Sequence, residues 1–448
     1  MGVVEVDAAA LWGAQTQRAV GHFEFGDERM PKEVLHALAC VKGACAVVNG
    51  RLGRLDGLLA AAIDEAAAEV VAGQHDAEFP LAVWQSGSGT QSNMNVNEVL
   101  AHLAQKRLGD SHRVHPNDDV NRGQSSNDVF PTAMHVASVA VLRSSLLPAL
   151  DALMATLAAK AQAYEGLIKL GRTHLQDAVP LTVGQEIGAW RSQLGSARAA
   201  IVATEPALLA LAIGGTAVGT GLNTTADFGE LVCRELTARS SIPFTAADNR
   251  FAALAGHEAL LALHGALKVL AVALMKMAND VRLLASGPRA GFGELLLPEN
   301  EPGSSIMPGK VNPTQCESMA MVACQVIGND GAITAGAGGG HLQLNTFKPL
   351  IIANVLRSLR LLSASMRSFD VHCAQGLSAD AVRIGELVDR SLMLVTALAP
   401  HIGYDRAAHI AHRAHAERTS LREAALAMGV AATDFDRWVR PQDMLGPK

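Results

Sequence analysis

Aromatic side chains and paired cysteines are scarce in this sequence. Phe, Trp and Tyr supply 4% of the 448 residues, whereas hydrophobic residues supply 49%, so the core has to be built mainly from Ala, Leu and Val. Such a composition suits helices that pack closely along their length. None of the six cysteines lies in a Cys-x-x-Cys pair, which predicts reduced thiols in a cytoplasm and no zinc or iron–sulfur site. We therefore expect a mainly all-α protein, and we expect no metal and no other cofactor.

Clusters of positive charge and targeting segments are also lacking. The net charge is −6 and no basic block is present, which argues against nucleic acid as a partner. The N-terminus has neither the basic region nor the apolar run of a signal peptide. The longest uncharged window, residues 206–226, is rich in Gly, Thr and Asn, and this composition argues against a membrane span. The sequence thus predicts a cytoplasmic protein without a nucleic-acid or membrane partner.

One polar stretch, GSSIMPGKVNPTQCE at residues 303–317, stands out from this apolar background. Ser304, Ser305 and Lys310 lie in a glycine-flanked loop just before a helical run. Asn312 is a good N-cap residue for that run, and the proline after it suits the first helical position. The free N–H groups and the dipole of a helix N-terminus favour anions. The loop is therefore predicted to present two hydroxyl groups and an ammonium group to an anionic ligand.

The spacing within this loop excludes a nucleotide-binding P-loop. A P-loop has four residues between its two glycines and a Ser or Thr after its lysine. Here five residues separate Gly303 from Gly309, and Val311 follows Lys310. We therefore do not expect the anion to be a nucleotide.

Two further polar motifs lie at predicted helix starts. WQSGSGTQSNMN contains Ser88 and Thr90, and SSND begins with Ser125, Ser126 and Asn127. Each motif on its own is typical of a turn followed by a helix N-cap. A helix N-terminus is also a place where a carboxylate binds, so a capping role and a ligand-binding role do not exclude each other.

Two histidines lie in similarly polar connections. His115 belongs to the motif HPND, which on its own favours a turn with a cap. His174 follows Thr173 shortly before the capping-box pair Thr182 and Gln185, so we expect it on a connecting segment at the end of a helix bundle. A single histidine in an apolar chain is more often structural than catalytic, and the residues alone leave both alternatives open.

Long helical patterns run from residue 126 to residue 381. The clearest covers residues 251–286, about 54 Å at 1.5 Å per residue. Its apolar or small residues occupy an arc of about 200°, which is too wide for one partner helix to bury, so we expect a bundle that continues across subunits. We predict an N-terminal mixed helical domain at residues 1–125, a central long-helix bundle at 126–381 and a small C-terminal helical domain at 382–448.

These motifs closely resemble the signature of the fumarase/aspartase superfamily, and the resemblance extends over almost the whole chain. Within the superfamily, the pattern is most similar to the class II fumarate hydratases. His174 supports this branch, because relatives that act on aspartate usually carry Gln at the corresponding position. The resemblance implies a three-domain fold with a central five-helix bundle. It also implies a homotetramer with a twenty-helix core, in which each active site draws on three chains.

The resemblance also implies a reaction on a small dicarboxylate, the reversible hydration of fumarate to L-malate through an aci-carboxylate intermediate. Ser304 and His174 would carry the proton transfers and Glu317 would support His174, while the choice between the first two for the carbon-bound proton stays open. The residues implied in substrate binding are Ser88, Thr90, Ser125, Ser126, Asn127, Thr173, Ser305, Lys310, Val311 and Asn312. Those implied in a second dicarboxylate site are His115, Pro116, Asn117 and Asp118.

Two alternatives stand beside this interpretation. One is an aspartate ammonia-lyase or a related lyase of the same superfamily, and the other is a non-catalytic structural protein with the same fold. The chain also departs from the family pattern at Leu342 and Gln343, where an aromatic residue and a glutamate are usual, and in a shortened loop at His112 and Arg113. We expect these departures to affect substrate preference only, because neither falls on a residue assigned to the chemistry.

Overall fold

A computed structural model describes residues 2–446 of the chain. Helices account for 64% of it and strands for 6%, which confirms the mainly all-α prediction. The first helices are α1 (Ala14–His22), α2 (Lys32–Arg51), α3 (Gly57–Val71) and α4 (Thr90–Leu108). Helix α4 begins inside the polar motif rather than after it, and several of that motif's polar side chains are buried.

Five long helical elements form the middle of the chain. The first runs from α5 (Ser126–Val141) through one π-helical turn (Leu142–Leu146) into α6 (Leu147–Ala163). The others are α7 (Val183–Leu208), α10 (Glu258–Leu284), α11 (Thr314–Gly338) and α12 (Lys348–Phe369), with the shorter helices α8 (Phe228–Ser240) and α9 (Arg250–Ala255) between α7 and α10. The side chains buried along them are mostly Leu, Ala, Ile and Val, as the composition predicted.

The chain divides into two compact units. Unit 1 comprises the chain through residue 148, residues 197–271 and residues 322–363, and unit 2 comprises residues 149–196, 272–321 and 364 onwards. The divisions fall inside the long helical elements, so the units do not correspond to consecutive stretches of sequence. The predicted domain boundaries at 125/126 and 381/382 therefore stay predictions.

The expectation of one unbroken helix over residues 251–286 is wrong. Helix α9 ends at Ala255 and α10 starts at Glu258. Gly256 between them has an extended backbone, and its N–H closes the preceding turn on Ala252 O at 2.9 Å. A Cβ at Gly256 would lie 2.5 Å from the Glu258 carboxylate, so the break is built around a glycine.

One polar side chain of α10, His264, faces the interior of unit 1. The His264 ring is completely buried, with Nδ1 3.0 Å from Asp330 Oδ1 and Nε2 2.8 Å from Ser358 Oγ. The ring thereby joins α10 to α11 and α12. The order Asp–His–Ser is that of a hydrolytic triad, but complete burial of Ser358 leaves its hydroxyl no access to a substrate.

Three two-stranded sheets accompany the helices of the described chain. Strand β1 (Ile168–Thr173) pairs antiparallel with β2 (Gln176–Thr182), β3 (Ala210–Leu211) pairs parallel with β4 (Thr245–Ala246), and β5 (Leu295–Leu296) pairs antiparallel with β6 (Ser378–Ala379). The sequence predicted a connecting segment at β1 and β2 and missed the hairpin. The hairpin matters here because its turn carries His174.

The C-terminal part consists of short helices. They are α13 (Ala381–Asp389), α14 (Ala399–Ile402), α15 (Tyr404–Glu417), α16 (Leu421–Ala427) and α17 (Ala432–Trp438). From Leu394 to Phe435 the buried side chains form a hydrophobic cluster of their own, with Leu398, Ile410 and Ala425 completely buried.

Three helical elements are long and apolar enough to cross a membrane, judged by length and composition alone. They are Lys32–Arg51, Ser126–Ala163 and Glu258–Leu284, and the buried shares of their most apolar windows are 72%, 50% and 44%. Most of the first window is buried inside the described chain. The two longer elements leave about half of their windows uncovered in a single chain.

Candidate active site

Four hydroxyl groups in unit 1 form a continuous hydrogen-bonded series, the hydroxyl chain of Ser86, Ser88, Thr90 and Ser126. The distances between successive oxygens are 2.9 Å, 2.7 Å and 2.8 Å. The series joins the start of α4 to the start of α5. It thus brings together three residues predicted to bind substrate, namely Ser88, Thr90 and Ser126, and their binding role stays a prediction.

Two glycines make the hydroxyl chain possible. Gly89 has φ 76°, and a Cβ there would lie 2.3 Å from the Phe130 ring. A Cβ on Gly87 would lie 1.4 Å from the carbonyl oxygen of Thr346. The carbonyl oxygen of Gly87 also accepts a 3.0 Å hydrogen bond from the N–H of Lys348. The polar loop is therefore packed tightly on both sides, and only glycine fits at these positions.

The start of α5 confirms the capping prediction. Ser125 Oγ accepts from the N–H of Asn127 at 3.2 Å, while the Ser125 N–H donates to Asp128 Oδ1 at 2.9 Å, which makes a capping box. The side-chain amide of Asn127 donates to Ala217 O at 2.9 Å. These bonds fix Ser125 and Asn127 at a helix N-terminus, where the helix dipole favours an anion.

Asp128 is a buried anchor that the sequence analysis did not single out. Its Oδ2 accepts from the N–H groups of Gly214 at 3.0 Å and Thr216 at 2.9 Å. Complete burial raises the pKa of this carboxyl to about 6, while the backbone N–H donors act in the opposite direction. Asp128 ties the glycine-rich turn after residue 213 to the start of α5. Its position three residues after Ser125 is the signal that identifies it in the sequence.

Lys42 is a second functional candidate that sequence reasoning missed. Its ammonium nitrogen is completely buried and donates to Asn121 Oδ1 and Gln124 Oε1, each at 3.1 Å. Burial lowers the pKa of Lys42 to about 7. The two amides flank the loop that leads into Ser125. A single cation inside the apolar run LACVKGACAVV is the sequence signal for this residue.

The HPND motif forms the turn that the residues alone favoured. His115 Nδ1 accepts from the N–H groups of Asn117 at 3.3 Å and Asp118 at 3.1 Å, capping the π-helical turn Pro116–Val120. A cavity of about 410 Å³ lies between this motif and the start of α5, and its lining includes Asn117, Asp118 and Ser125. The second dicarboxylate site stays a prediction, and this cavity offers it room next to the first group of binding residues.

In unit 2, His174 occupies the exposed tip of the β1–β2 hairpin. Thr173 pairs with Gln176, so His174 and Leu175 are the two turn residues, with φ 55° and 62°. Two-residue turns of this left-handed kind favour Asn and Gly. Residues 173–177 are exposed. The imidazole is therefore presented outwards from the chain that carries it.

The Ser304 loop closes on itself at its neck. Gly303 N donates to Lys310 O at 2.9 Å, and the Asn312 side-chain amide donates to Gly303 O at 2.6 Å. A Cβ at Gly303 would lie 2.2 Å from Lys310 O, so glycine is required there. The predicted N-cap role of Asn312 is wrong, because α11 begins at Thr314 and the amide closes the loop instead. Between the neck residues, positions 305–311 are exposed.

Ser304 Oγ lies where backbone N–H groups converge. It accepts from Ile306 N at 3.3 Å and from Met307 N at 3.1 Å. Both donors stabilise negative charge on this oxygen. Among the hydrogen bonds of residues 2–446, this hydroxyl is the only oxygen of the loop that accepts from two N–H groups.

The predicted pair of His174 and Glu317 is not formed within this chain. Glu317 Oε1 lies 3.7 Å from Arg282 Nη2, and both side chains are largely exposed. No hydrogen bond or ion pair among residues 2–446 joins His174 to Glu317 or to Ser304. Within residues 2–446, these three catalytic candidates are therefore not joined to one another by hydrogen bonds or ion pairs.

Comparison with known proteins identifies the family. The family model described as "Lyase" matches residues 2–328, and the model described as "Fumarase C C-terminus" matches residues 394–446. The class II fumarate hydratase of Chromobacterium violaceum is 61% identical over 449 positions, covering 99% of this chain and 97% of that protein. This chain belongs to the class II fumarate hydratase family.

Solved structures agree with membership of the class II fumarate hydratase family. The class II fumarase from Schistosoma mansoni has a TM-score of 0.96 at 46% identity and covers 98% of this chain and 97% of its own. A fumarate lyase:delta crystallin from Brucella melitensis, bound to cobalt, has a TM-score of 0.94 at 41% identity, with coverages of 99% and 97%. These similarities confirm the predicted fumarase/aspartase-like fold. They do not favour the ammonia-lyase alternative.

Proposed function

We propose that this member of the class II fumarate hydratase family interconverts fumarate and L-malate through an aci-carboxylate intermediate. Family membership at 61% identity carries the type of reaction. The observation that supports the choice of base is the position of Ser304 Oγ, which accepts hydrogen bonds from two backbone N–H groups. These donors lower the cost of an alkoxide at this oxygen.

In the dehydrating direction, Ser304 Oγ takes the proton from the carbon next to a carboxylate of malate. The electron pair of that C–H bond flows into the carboxylate and gives the doubly charged aci-form. Lys310, Asn312 and the loop N–H groups would stabilise this charge, which is larger in the transition state than in the substrate. Stabilisation of that charge is therefore the main catalytic contribution of the loop.

The second proton transfer involves the hydroxyl group on the neighbouring carbon. As that C–O bond breaks, His174 donates a proton and water leaves, and the electron pair of the aci-form completes the double bond of fumarate. Imidazole both gives and takes protons near neutral pH, so the same group activates water in the hydrating direction. Glu317 would orient the imidazole, as a carboxylate orients histidine in other acid–base pairs.

The remaining predicted residues would hold the dicarboxylate. We assign Ser88 and Thr90 of the hydroxyl chain, the Ser125–Asn127 helix start and Thr173 to its carboxylates, together with Ser305 and Val311 of the loop. The supporting observation is that these hydroxyls and the helix N-terminus lie side by side in unit 1, with oxygen–oxygen distances of 2.7 Å and 2.8 Å. The second site, at residues 115–118, would take the same class of ligand.

We further propose a homotetramer in which each site draws on three chains. In one chain His174 and Glu317 are not paired, and the His174 turn points outwards. Helices α10 and α11 also leave apolar side chains uncovered, with Val269 51%, Val272 53% and Met321 67% exposed. Neighbouring copies of the same helices would bury these faces and complete the twenty-helix core. Coverage by such neighbours would also account for the apolar helices in a cytoplasmic protein.

One absorbance assay tests the function. The purified chain is mixed with fumarate, with and without ammonia, and the ultraviolet absorbance of fumarate is followed while malate and aspartate are quantified. We expect loss of absorbance and formation of malate in both mixtures. Formation of aspartate only with ammonia would instead identify an ammonia-lyase, and an unchanged absorbance would identify a non-catalytic protein. A parallel arm with chelator is expected to keep full activity.

A further inference from the structure

A cluster of four charged side chains lies at the base of the His174 hairpin, all of it within unit 2, and two of the four, Lys169 and Glu294, are buried. Lys169 Nζ is 2.6 Å from Glu186 Oε2 and 2.8 Å from Glu294 Oε2, and Arg172 Nη1 is 2.7 Å from Glu294 Oε1. Two positive and two negative charges balance. The side chains of Lys169 and Glu294 are 2% and 1% exposed, so water screens this pair very little.

The Glu294 side of the cluster is fixed independently of the hairpin. The Glu294 N–H donates to Leu284 O at 2.9 Å, at the end of α10. Its carbonyl oxygen accepts from Asp380 N at 2.9 Å, beside the β5–β6 sheet. A helix end and a sheet thus hold the backbone of Glu294. Its carboxylate therefore has a fixed position, and the hairpin is aligned by its contacts with that carboxylate.

The hairpin strand is shaped to reach that fixed point. The β1–β2 register shifts between Leu170 and Arg172, and the bulge re-aims the side chain of Arg172. Gly171 permits the bulge, because a Cβ there would lie 2.6 Å from Val179 O. The Arg172 guanidinium also lies 4.3 Å from the centroid of the Phe292 ring, which adds a second contact beside Glu294.

The hairpin turn requires such support. His174 and Leu175 both adopt positive φ, an unfavourable backbone conformation for residues with a Cβ. Such a conformation persists where the surrounding structure imposes it, and it often does so at functional sites. His174 is two residues beyond Arg172, so the cluster lies close to the turn along the strand.

We propose that Lys169, Arg172 and Glu294 are positioning residues for His174, and that the cluster holds the imidazole where it meets the hydroxyl group of malate. This inference rests on the role proposed for His174. General acid–base catalysis depends on placement, and a displacement of about 1 Å costs as much as about a hundredfold in rate. The cluster does not touch substrate and acts only through the hairpin.

The test is the double variant Arg172→Met/Glu294→Leu. It removes one charge of each sign and leaves Lys169 paired with Glu186, so the buried charges stay balanced and the fold is expected to persist. We expect kcat to fall at least about tenfold, with KM changed less than about threefold, while the melting temperature and the oligomeric state stay close to those of the unsubstituted protein.

A second variant and a matched control complete the design. Arg172→Lys keeps the charge but loses the planar guanidinium, and we expect its kcat to fall about tenfold as well. The control is Arg239→Met/Asp64→Leu, which removes another partly buried ion pair at 2.6 Å and leaves Glu235 paired with Arg51. The control is expected to keep its kcat, which shows that loss of an ion pair alone does not lower turnover.

The outcomes separate this inference from the function on which it rests. If both Arg172 variants fold and keep kcat within twofold, the positioning role is wrong. If the double variant does not fold, Arg172→Lys alone decides. His174→Asn is measured in parallel: near-normal turnover there would remove His174 from the mechanism, whereas an inactive His174→Asn beside active Arg172 variants would overturn only the positioning role.

Discussion

The predicted site residues form two groups, a preorganised half in unit 1 and an exposed half in unit 2, and the groups differ in how much of their geometry a single chain builds. In unit 1 the hydroxyl chain is closed by hydrogen bonds, Ser88 is 8% exposed, and two glycines clamp the loop. In unit 2 the Ser304 loop closes only at its neck, and its tip is open, with Ile306 83% exposed. The His174 turn is also exposed.

We interpret the hydrogen-bonded hydroxyls of unit 1 as preorganised for binding. We interpret the exposed Ser304 loop and His174 turn of unit 2 as groups that move or that a partner chain completes. Partly buried hydroxyls that already have hydrogen-bond partners would bind a carboxylate without further ordering. An exposed loop with few partners belongs to the low-stability end of a fold, from which closing segments are drawn. We therefore expect substitutions in the loop and the hairpin turn to act mainly on turnover, and substitutions in the hydroxyl chain to act mainly on binding.

The largest effects are expected in the exposed half. Ser304→Ala removes the proposed base, and His174→Asn removes the group that handles the hydroxyl. Each should lower kcat by at least about a hundredfold with a modest change in KM, because both groups act in the transition state. Steady-state kinetics on fumarate and malate measure this. Near-normal turnover in either variant would remove that residue from the mechanism. It would also contradict the expectation that the unit 2 residues act on turnover and the unit 1 residues on binding.

A mixing experiment tests whether the exposed half is completed by another chain. Unfolded Ser304→Ala and His174→Asn chains are combined in equal amounts and refolded. If the two residues of one site come from different subunits, random assortment gives half times half, or roughly a quarter, of sites intact. The recovered activity should approach that fraction of refolded unsubstituted protein. A mixture as inactive as either variant alone would contradict the shared site.

The sequence predicts the local capping bonds in both halves. The capping residues Ser125, Thr182 and Gln185 behave as their spacing predicts, since Thr182 and Gln185 exchange hydrogen bonds at 2.9 and 3.0 Å. Local hydrogen bonds of this kind depend on residues a few positions apart, so a single sequence contains the whole argument. The polar stretch at residues 303–317 was likewise visible from its composition.

The missed features depend on contacts between distant parts of the chain. The β1–β2 hairpin was not predicted, because its turn residues are His174 and Leu175 rather than Asn and Gly. The ion-pair partners of Glu294, Lys169 and Arg172, are more than a hundred positions away in the sequence. The break before α10 was missed for a different reason, since one glycine in a helical run is often tolerated. Tertiary packing decided each of these positions.

A smaller effect is expected in the hydroxyl chain. Thr90→Val keeps the shape of the side chain but breaks both hydrogen bonds of its hydroxyl and leaves Ser88 and Ser126 without that partner. Loss of partly buried hydrogen bonds of this kind costs about 1–2 kcal/mol, so kcat/KM should fall about tenfold, with most of the change in KM. The matched control is Thr132→Val, because the Thr132 hydroxyl is buried and donates only to Asp128 O at 2.8 Å within α5.

Steady-state kinetics of both valine variants, over the same range of fumarate concentrations, measure the difference in KM. A Thr90→Val enzyme with the same KM as Thr132→Val would mean that the hydroxyl chain is a structural cap only. A fall in kcat alone would mean that the hydroxyl chain also acts in the transition state. The assignment of binding to the unit 1 residues and of turnover to the unit 2 residues would then be wrong.

The subtlest prediction concerns the buried amine behind the first half of the site. The pKa of Lys42 is lowered by burial to about 7, against 10.5 for an exposed lysine. Between these values the unfolded chain binds one more proton than the folded chain, so folding stability rises with pH by about 1.4 kcal/mol per unit. Below pH 7 the lysine is charged in both the folded and the unfolded state, and the slope vanishes.

Lys42→Met should lack this contribution, so its free energy of unfolding relative to the unsubstituted protein should fall steadily from pH 7 to pH 9 in urea titrations. Val41→Ala, a neighbouring buried substitution without a titrating group, should show a constant difference. A constant difference for Lys42→Met as well would mean that Asn121 and Gln124 hold a permanently charged ammonium group, and that the preorganised half is an electrostatic structure rather than a neutral hydrogen-bonded one.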